Sequence, residues 1–360
     1  ELVPLLQEFY KSQHAQGSDI GDLAYRQTIR AKAFDAVRGL LPAASLSNVG
    51  IYGTGQAYEA LLLRMRAHSL PEARSYADLM LTELRKVIPA FLTRVDRPDR
   101  GGRWSKYLAG NQTGMQRLSA TVLEQIKPEP RDEVVLTDYD PDGEIKIVAG
   151  ALYAVSGLPD DQLLSIARSL STEERVSVLQ AYVGDRTNRR HKPGRAFERT
   201  AYRFDVLSDY GAFRDLQRHR LLTLEWQNLT PAHGFTEPAA IEEVGALNDF
   251  QQVMTTTADL YDTLIAHGLE RIASYAVSMA YRVRFYMQMN AREAMHLIEL
   301  RSAPQGHPAY RRVSQKMHKL IGEQAGHQAV AAAMKYADHS EIDLERLKAE
   351  RASEKRRQAT

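Results

Sequence analysis

Apolar residues recur with two different periods along this chain. Which segments have the helical period and which have the strand period constrains the fold most. Through residues 1–127 the apolar residues recur three or four positions apart, which is typical of amphipathic helices. Between Ala201 and Val206 they alternate, which predicts a half-buried strand, and LLTLEW at 221–226 alternates again. From Glu242 onwards the pattern predicts long helices, one of them through 274–303. The sequence therefore predicts an α+β fold, with long helices around a small mixed sheet.

The composition excludes several kinds of function. The 360 residues include no cysteine, so disulfides, thiolate metal sites and cysteine nucleophiles are excluded. This fits a reducing cytoplasm, and a cytoplasmic location is expected. The formal charge of +2 is nearly balanced, so any anion site must be local and the chain as a whole is not a nucleic-acid binder. No apolar run approaches about 18 residues, so no membrane span is expected.

Two segments resemble each other and indicate an internal repeat. The segments are Thr54–Ile88 and Met289–Ile321. When Arg66 is aligned with Arg301, LLLRMR pairs with LIELR, and a two-residue shift then pairs PEAR at Pro71 with PAYR at Pro308. Amphipathic helices can resemble each other by chance. The shared order of arginine, proline and arginine nevertheless favours duplication.

The repeat and a change in composition predict the division of the chain. Residues 1–127 are interpreted as the C-terminal part of a first copy, whose opening part is expected to be missing from this chain. Residues 128–133 contain two prolines and alternating charge, and they are interpreted as a linker. Residues 134–340 are interpreted as the second copy, and residues 341–360 as a charged tail.

The tripeptide Arg218, His219 and Arg220 is the first candidate site. It is predicted to follow a helix and to lead directly into the apolar run 221–226. Guanidinium groups bind phosphates bidentately, and buried adjacent cations need an anionic partner. The alternative is that these residues only place favourable positive charge at a helix C-terminus.

A second candidate is the predicted helix NAREAMHLIELR at 290–301. Its polar residues are Asn290, Arg292, His296 and Arg301. Arg292 and His296 are four apart and therefore share a helix face. Surface ion pairs, for example of Arg292 with Glu293 or Glu299, are the alternative.

The arginine-rich stretch Asp185–Arg199 is a third candidate, which as a loop could bind phosphates or nucleic acid. A solvated charged loop is the alternative. Signatures of phosphate loops, zinc proteases and nucleophile elbows are absent, and no metal site is predicted. The stretch GIYGTGQAYE at 50–59 lacks a preceding strand, so it is not interpreted as a dinucleotide site.

The first two candidates together resemble the flavin-dependent thymidylate synthases (ThyX). That family has Arg-His-Arg, two spacers and then Ser-x-Asn-Glu-x-Ser-x-Arg, followed later by Asn-x-Arg-x-x-x-Asn/His and Leu-Arg. The resemblance covers about Val134 to Gln328, and the repeat suggests a tandem, double-length member with a ThyX-like fold. It implies a methyltransferase that converts dUMP to dTMP. Methylenetetrahydrofolate would give the carbon, and FAD reduced by NADPH would give the hydride.

The resemblance also implies roles for individual residues. The cofactor-binding residues would be Arg218, His219, Arg220, Asn290, Arg292 and His296. Arg218 and Arg301 would bind the substrate, and Arg301 would be catalytic because it favours the ionised form of the uracil. The family implies a homo-oligomer, expected here as a dimer of tandem chains that mimics a tetramer. No membrane or nucleic-acid partner is implied.

The sequence departs from the family motif after the tripeptide. Thr223 replaces the first serine and keeps a hydroxyl group. The residues at the next four motif positions are Glu225, Trp226, Asn228 and Thr230. Glu198-Arg199 stands where the family has Glu-His, and Gly55, Ala57 and Leu61 of the first copy stand opposite Asn290, Arg292 and His296. Two interpretations stay open: another copy supplies the missing groups, or the protein is a degenerate relative that binds flavin or nucleotide, or serves as a scaffold, without catalysis.

Overall fold

The strands form where apolar residues alternate, and they pair into one antiparallel sheet. The computed structural model describes residues 1–17, 20–341, 344, 347, 350 and 351. The strands are β1 (Val134–Tyr139), β2 (Ala201–Asp209), β3 (Thr223–Trp226) and β4 (Arg282–Asn290), in the order β1-β2-β4-β3. The α+β class is confirmed. All three strand pairings are antiparallel, so the predicted mixed sheet is wrong in that detail.

The helices account for most of the remaining chain. They are α1 (Leu2–Gln13), α2 (Asp22–Val37), α3 (Gly55–Ala67), α4 (Pro71–Leu84), α5 (Pro89–Leu92), α6 (Gly101–Val122), α7 (Gly143–Ser156), α8 (Asp160–Ser169), α9 (Thr172–Val183), α10 (Tyr210–Leu216), α11 (Ala239–Glu243), α12 (Leu247–Ala266), α13 (Glu270–Ala273), α14 (Ala291–Arg301), α15 (Pro308–Glu323) and α16 (Gln328–Ala333). Among the described residues, no helix is both long and apolar enough to cross a membrane.

The single helix predicted through 274–303 is wrong as far as residue 290. Residues 274–276 form a short 3₁₀ helix, and residues 277–281 form no helix. Residues 282–290 form β4, in which every second residue is buried. The reason is tertiary: β4 is an interior strand, paired with β2 over nine residues and with β3 on its other edge. The local pattern also favours a strand, because Val283, Phe285, Met287 and Met289 alternate with less buried residues.

Cross-strand pairs of large side chains build the core face of the sheet. Four residues of β2 lie opposite four of β4: Tyr202 opposite Met289, Phe204 opposite Met287, Val206 opposite Phe285 and Ser208 opposite Val283. All of these are almost completely buried. Such opposed pairs on one face are the main stabilising unit of an antiparallel sheet. The register of β2 and β4 is therefore fixed by packing.

The described residues divide into two compact units. One contains residues 1–43, 131–263 and the described residues from 274 onwards, and it includes the whole sheet. The other contains residues 44–130 and 264–273, and its small core is formed by Leu62, Ala77, Leu81, Leu92 and Val95. The predicted division into a first copy, a linker and a second copy concerns ancestry and stays a prediction.

A buried histidine lies against the sheet. Nδ1 of His327 is 2.7 Å from the hydroxyl oxygen of Tyr202, and both side chains are at most 2% exposed. Burial lowers the pKa of His327, and it raises the pKa of Tyr202. The folded state therefore holds this imidazole neutral.

We expect the protein to lose stability as the pH falls below about 6.5, the ordinary histidine pKa. In that range the unfolded chain takes up a proton that folded His327 binds only at lower pH, so protons favour unfolding. His327→Gln should flatten the slope of melting temperature against pH between pH 7 and pH 5. It should not abolish it, because burial also lowers the pKa of His307. An unchanged slope, or an equal effect of His68→Gln at an exposed position, would contradict this expectation.

Candidate active site

The sheet brings the two candidate segments together. Asp209 caps α10 by accepting a hydrogen bond from the backbone of Ala212 at 2.8 Å, and the tripeptide 218–220 follows the end of that helix. The next strand pairs with β4 so that Thr223 lies opposite Gln288. Because the strands are antiparallel, residues just before Thr223 lie beside residues just after Gln288, where α14 begins.

His219 is the buried centre of the site. Its side chain is 3% exposed, its Nδ1 lies 3.1 Å from Oε1 of Glu293, and its Nε2 accepts from Nε of Arg301 at 3.1 Å. A guanidinium group can only donate, so the ring proton lies on Nδ1 and donates to Glu293. Both ring nitrogens are thus engaged, and the imidazole fixes Arg301 in place.

Asp215 joins the cations of the two segments. Its Oδ1 lies 3.3 Å from Nη1 of Arg218 and 3.7 Å from Nη1 of Arg301. The Arg301 guanidinium also lies over the ring of Tyr310, at 5.4 Å from the centroid. The side chain of Arg301 is 14% exposed and that of Arg218 is 68% exposed. Arg301 is therefore the fixed cation of the site, and Arg218 faces solvent.

The other predicted residues border this centre. The ring of His296 lies 5.4 Å from that of His219, and its pKa is lowered by burial and by the cations Lys192 and Arg189. Asn290 is the N-cap of α14, and its side-chain oxygen accepts from the backbone of Glu293 at 2.9 Å. This structural use of Asn290 was not predicted.

Two arginines of the predicted set do not reach the His219 centre. Nε of Arg292 donates to the carbonyl of Pro193 at 2.9 Å, and its Nη1 lies 3.5 Å from Glu198. Arg220 is exposed and forms no ion pair with the described residues. The ion pairs suggested for Arg292 with Glu293 or Glu299 are wrong, because those carboxylates pair with His219 and Arg186.

Neither Asp215 nor Glu293 was among the residues predicted from the sequence. Asp215 lies three residues before Arg218, so an i,i+3 ion pair was the available signal. Glu293 gives no such signal, because its partner His219 lies in a distant segment.

His219, Glu293 and His296 could also be considered as metal ligands. Their ligand atoms all lie within 4.8 Å of one another, and two histidines with one carboxylate can bind a transition metal. However, Nε2 of His219 already accepts from Arg301, and Arg218 shares Asp215 with that same guanidinium. Two adjacent cations oppose a divalent ion. The two guanidinium groups, whose charge Asp215 and Glu293 offset in part, are the groups that an anionic ligand could contact.

A sizeable cavity lies elsewhere in the same unit. Its volume is about 720 Å³, and its polar lining includes Lys32, Arg38, Asp209, His307 and Arg312. None of the predicted site residues lines it. At the His219 centre it is the Arg218 side chain that faces solvent.

The arginine-rich loop owes its shape to a buried ion pair. Arg186 is 2% exposed, and it donates to both carboxylate oxygens of Glu299 at 2.7 and 2.6 Å and to the carbonyl of Ala333 at 2.8 Å. Arg186 is therefore not available to bind a phosphate. Because Glu299 belongs to α14, the pair fixes the loop to the helix that carries Arg292, His296 and Arg301.

We expect Arg186→Met to destabilise the protein by about 3–5 kcal/mol, because it leaves the Glu299 carboxylate buried and unpaired. The double variant Arg186→Met/Glu299→Met should be destabilised by less than the sum of the two single changes. Urea unfolding followed by circular dichroism measures both. Arg195→Met is the matched control, since Arg195 pairs with Glu198 at the exposed surface. A cost for Arg186→Met no larger than that of the control would contradict the expectation.

Known proteins match this chain along most of its length. A protein of Chlamydia muridarum (strain MoPn / Nigg) named "UPF0159 protein" is 35% identical over 351 residues, which are 97% of this chain and 66% of the relative. A UPF0159 protein of Chlamydia pneumoniae is 34% identical over 356 residues, which are 98% of this chain and 66% of the relative. This chain therefore spans slightly less than two thirds of the length of these relatives.

A solved structure and a family were also found. The structure is that of a UMP/dUMP methylase, PolB, from Streptomyces cacaoi with bound 5-Br dUMP. It matches 57% of this chain and 97% of its own, at 17% identity and a TM-score of 0.43. Residues 135–326, more than half of this chain, match the family Thy1, described as thymidylate synthase complementing protein. These residues include both segments that meet at His219, and the chain belongs to the Thy1 family.

Proposed function

We propose that this chain carries the active site of an FAD-dependent thymidylate synthase. It would methylate dUMP to dTMP with methylenetetrahydrofolate and NADPH. The observation that carries the proposal is the convergence of Arg218, His219 and Arg301, from two distant segments of a Thy1 family member, around Asp215 and Glu293.

Arg301 suits the role of the cation that stabilises a negatively charged uracil. Its Nε is engaged by His219, and its Nη1 lies 3.7 Å from Asp215. A fixed guanidinium stabilises charge as it develops, because no reorganisation is needed at that moment. The hydrogen bonds from Arg301 to His219 and from His219 to Glu293 would keep the Arg301 guanidinium in one position and orientation.

The residues around this centre fit a flavin dinucleotide. Arg218 and Arg220 are exposed, and their guanidinium groups would bind the pyrophosphate. Burial lowers the pKa of His296, so this imidazole beside His219 is neutral. The amide nitrogen of Asn290 would be the donor toward the cofactor, since its oxygen caps α14. Arg292, whose guanidinium lies next to Glu198, would also contact the cofactor. Bound reduced flavin would supply the hydride, and the absence of cysteine agrees with a route that needs no protein thiol.

The strand after the tripeptide favours a second candidate, a flavin- or nucleotide-binding protein without catalysis. Glu225 and Trp226 stand where the family motif has Asn and Glu, and both lie on the exposed strand β3. Trp226 packs against Phe213, with 5.8 Å between ring centroids. Thr230, in place of the motif arginine, caps a short 3₁₀ helix. In the first candidate, another ThyX-like copy supplies the missing contacts, which suits a dimer of tandem chains.

We expect the purified protein to be yellow, with flavin absorbance, and to release tritium from [5-³H]dUMP when folate and NADPH are present. Arg301→Ala should lower this release by at least about 100-fold, because the fixed cation is lost, and it should leave the flavin content largely unchanged. The matched control is Arg284→Ala, since Arg284 pairs with Asp205 within the sheet.

Flavin or dUMP binding without tritium release would establish the second candidate. Absence of both binding activities would reject both candidates. Full activity of Arg301→Ala would reject the role assigned to Arg301 even if the protein is a thymidylate synthase.

We expect Asp215→Asn to tighten dUMP binding by about 3- to 10-fold. The variant removes a negative charge that competes with the nucleotide for Arg218 and Arg301. Isothermal titration calorimetry at constant ionic strength measures the effect. Asp205→Asn changes the net charge equally and should leave the dissociation constant unchanged. Weaker binding by Asp215→Asn would show that the carboxylate orients the two guanidinium groups and does not compete with the ligand.

A further inference from the structure

Helix α6 carries an apolar stripe that is largely exposed. The N-terminal end of the helix packs on α3, where the buried hydroxyl of Ser105 donates to the carbonyl of Leu63 at 3.0 Å. From Gly110 to Val122, every residue except Ser119 is exposed. A free helix of this length is marginal in water, so these turns need a partner. Five large apolar side chains of α6 are 56–63% exposed: Trp104, Tyr107, Met115, Leu118 and Val122.

The stripe repeats with the period of a coiled coil. Six residues follow one another at intervals of four, three, four, three and four: Trp104, Leu108, Asn111, Met115, Leu118 and Val122. At about 100° per residue, all of them lie within about 40° of the direction of Trp104. This is the seam of three heptads, which packs against another helix. Asn111 is its polar member, and a single polar residue in a seam specifies register and oligomeric state.

The stripe is self-complementary about a two-fold axis, because its intervals are the same when read from either end. An antiparallel pair of α6 helices centred near Thr113 would match each stripe residue with one of the second copy: Trp104 with Val122, Leu108 with Leu118, and Asn111 with Met115. The largest side chain thus meets a small one. A closed two-fold dimer requires one surface patch that matches itself in this way.

The distribution of charge also favours a second copy as the partner. The charged residues of α6 lie at least about 100° around the helix from Trp104, and they are Arg103, Lys106 and Arg117. The positions that flank the stripe are uncharged: Ser105, Tyr107, Gln112, Gly114, Ser119 and Thr121. Two copies can therefore approach without like charges at the seam. An antiparallel pair also opposes the helix dipoles, and it brings Arg103 to the end where Glu124 of the second copy lies.

We propose that two copies of this chain associate through α6, as an antiparallel helix pair with the stripe at its centre. The helix lies outside residues 135–326, which match the Thy1 family, and the proposal does not rest on the enzymatic activity. With 22 residues, the helix is about 33 Å long. Three heptads form a small interface, so we expect a dissociation constant of roughly 1–100 μM.

Sedimentation velocity of the intact 360-residue chain, at concentrations below and above this range, tests the proposal. Leu118→Glu should weaken the association at least about 10-fold, because it places a charge in the seam. Asn111→Leu should strengthen it at least about 10-fold, because it removes the polar residue from the seam. The matched control is Thr113→Glu, which makes the same change in charge at an exposed position on the opposite side of α6. In dilute solution Leu118→Glu should leave the melting temperature unchanged, because that side chain is exposed in the single chain.

Spin labels test the orientation of the two helices. The chain has no cysteine, so one introduced cysteine carries the label. Lys106→Cys and Thr113→Cys are seven residues apart and lie on the same outer side of α6. In an antiparallel pair centred near residue 113, the distance between the two labels should be at least about 5 Å longer at position 106 than at position 113.

Three results would overturn the proposal. A chain that stays monomeric at every concentration has no such interface, and its flotation with vesicles of anionic lipid would assign the stripe to a membrane surface. A dimer that Leu118→Glu and Asn111→Leu both leave unchanged forms through another surface. Equal distances at the two labelled positions would show a parallel pair.

Discussion

The nine-residue pairing of β2 with β4 is the constraint on which the candidate site depends. It places β4 in the interior of the sheet, so β3 can pair with its other edge and α14 can start at its end. Arg218 and Arg301, distant in sequence, come within reach of one carboxylate for that reason. The site is therefore a consequence of sheet register, and a shift of one residue would move every core side chain of the strand to the other face.

The electrostatics of the site follow from the close approach of these charged side chains. Two guanidinium groups lie close together, and Asp215 and Glu293 provide the nearby negative charge. Glu293 is buried and acts through His219, whereas Asp215 touches the guanidinium groups directly. An anion that enters from the solvent side of Arg218 therefore meets a partly neutralised pair of cations. The affinity for the anion depends on the free energy needed to separate Asp215 from Arg218 and Arg301.

Much of this arrangement could be predicted from the sequence. The alternation at Ala201–Val206 predicted β2, and helical spacing predicted the helix that bears His296 and Arg301. The meeting of the two motif segments followed from the family resemblance, and the structure brings Arg301 to His219. β4 was missed although it carries the same signal, since its buried apolar residues alternate with Arg282, Arg284 and Gln288. It was interpreted together with the helix that follows it at once. Burial of Arg186 and the pairing of Glu293 depend on distant partners, which no local pattern shows.

The hydrogen bonds of His219 separate the tripeptide into unlike parts. Rotation of the imidazole would break its contacts with Glu293 and Arg301 together. The ring therefore holds the Glu293 carboxylate and the Arg301 guanidinium at a fixed separation. An asparagine could reproduce one of these contacts but not span both. The outer arginines, by contrast, protrude into water and can follow a ligand as it arrives. The middle residue thus determines spacing and its neighbours determine charge, so exchanging His219 with either arginine would break the contacts with Glu293 and Arg301.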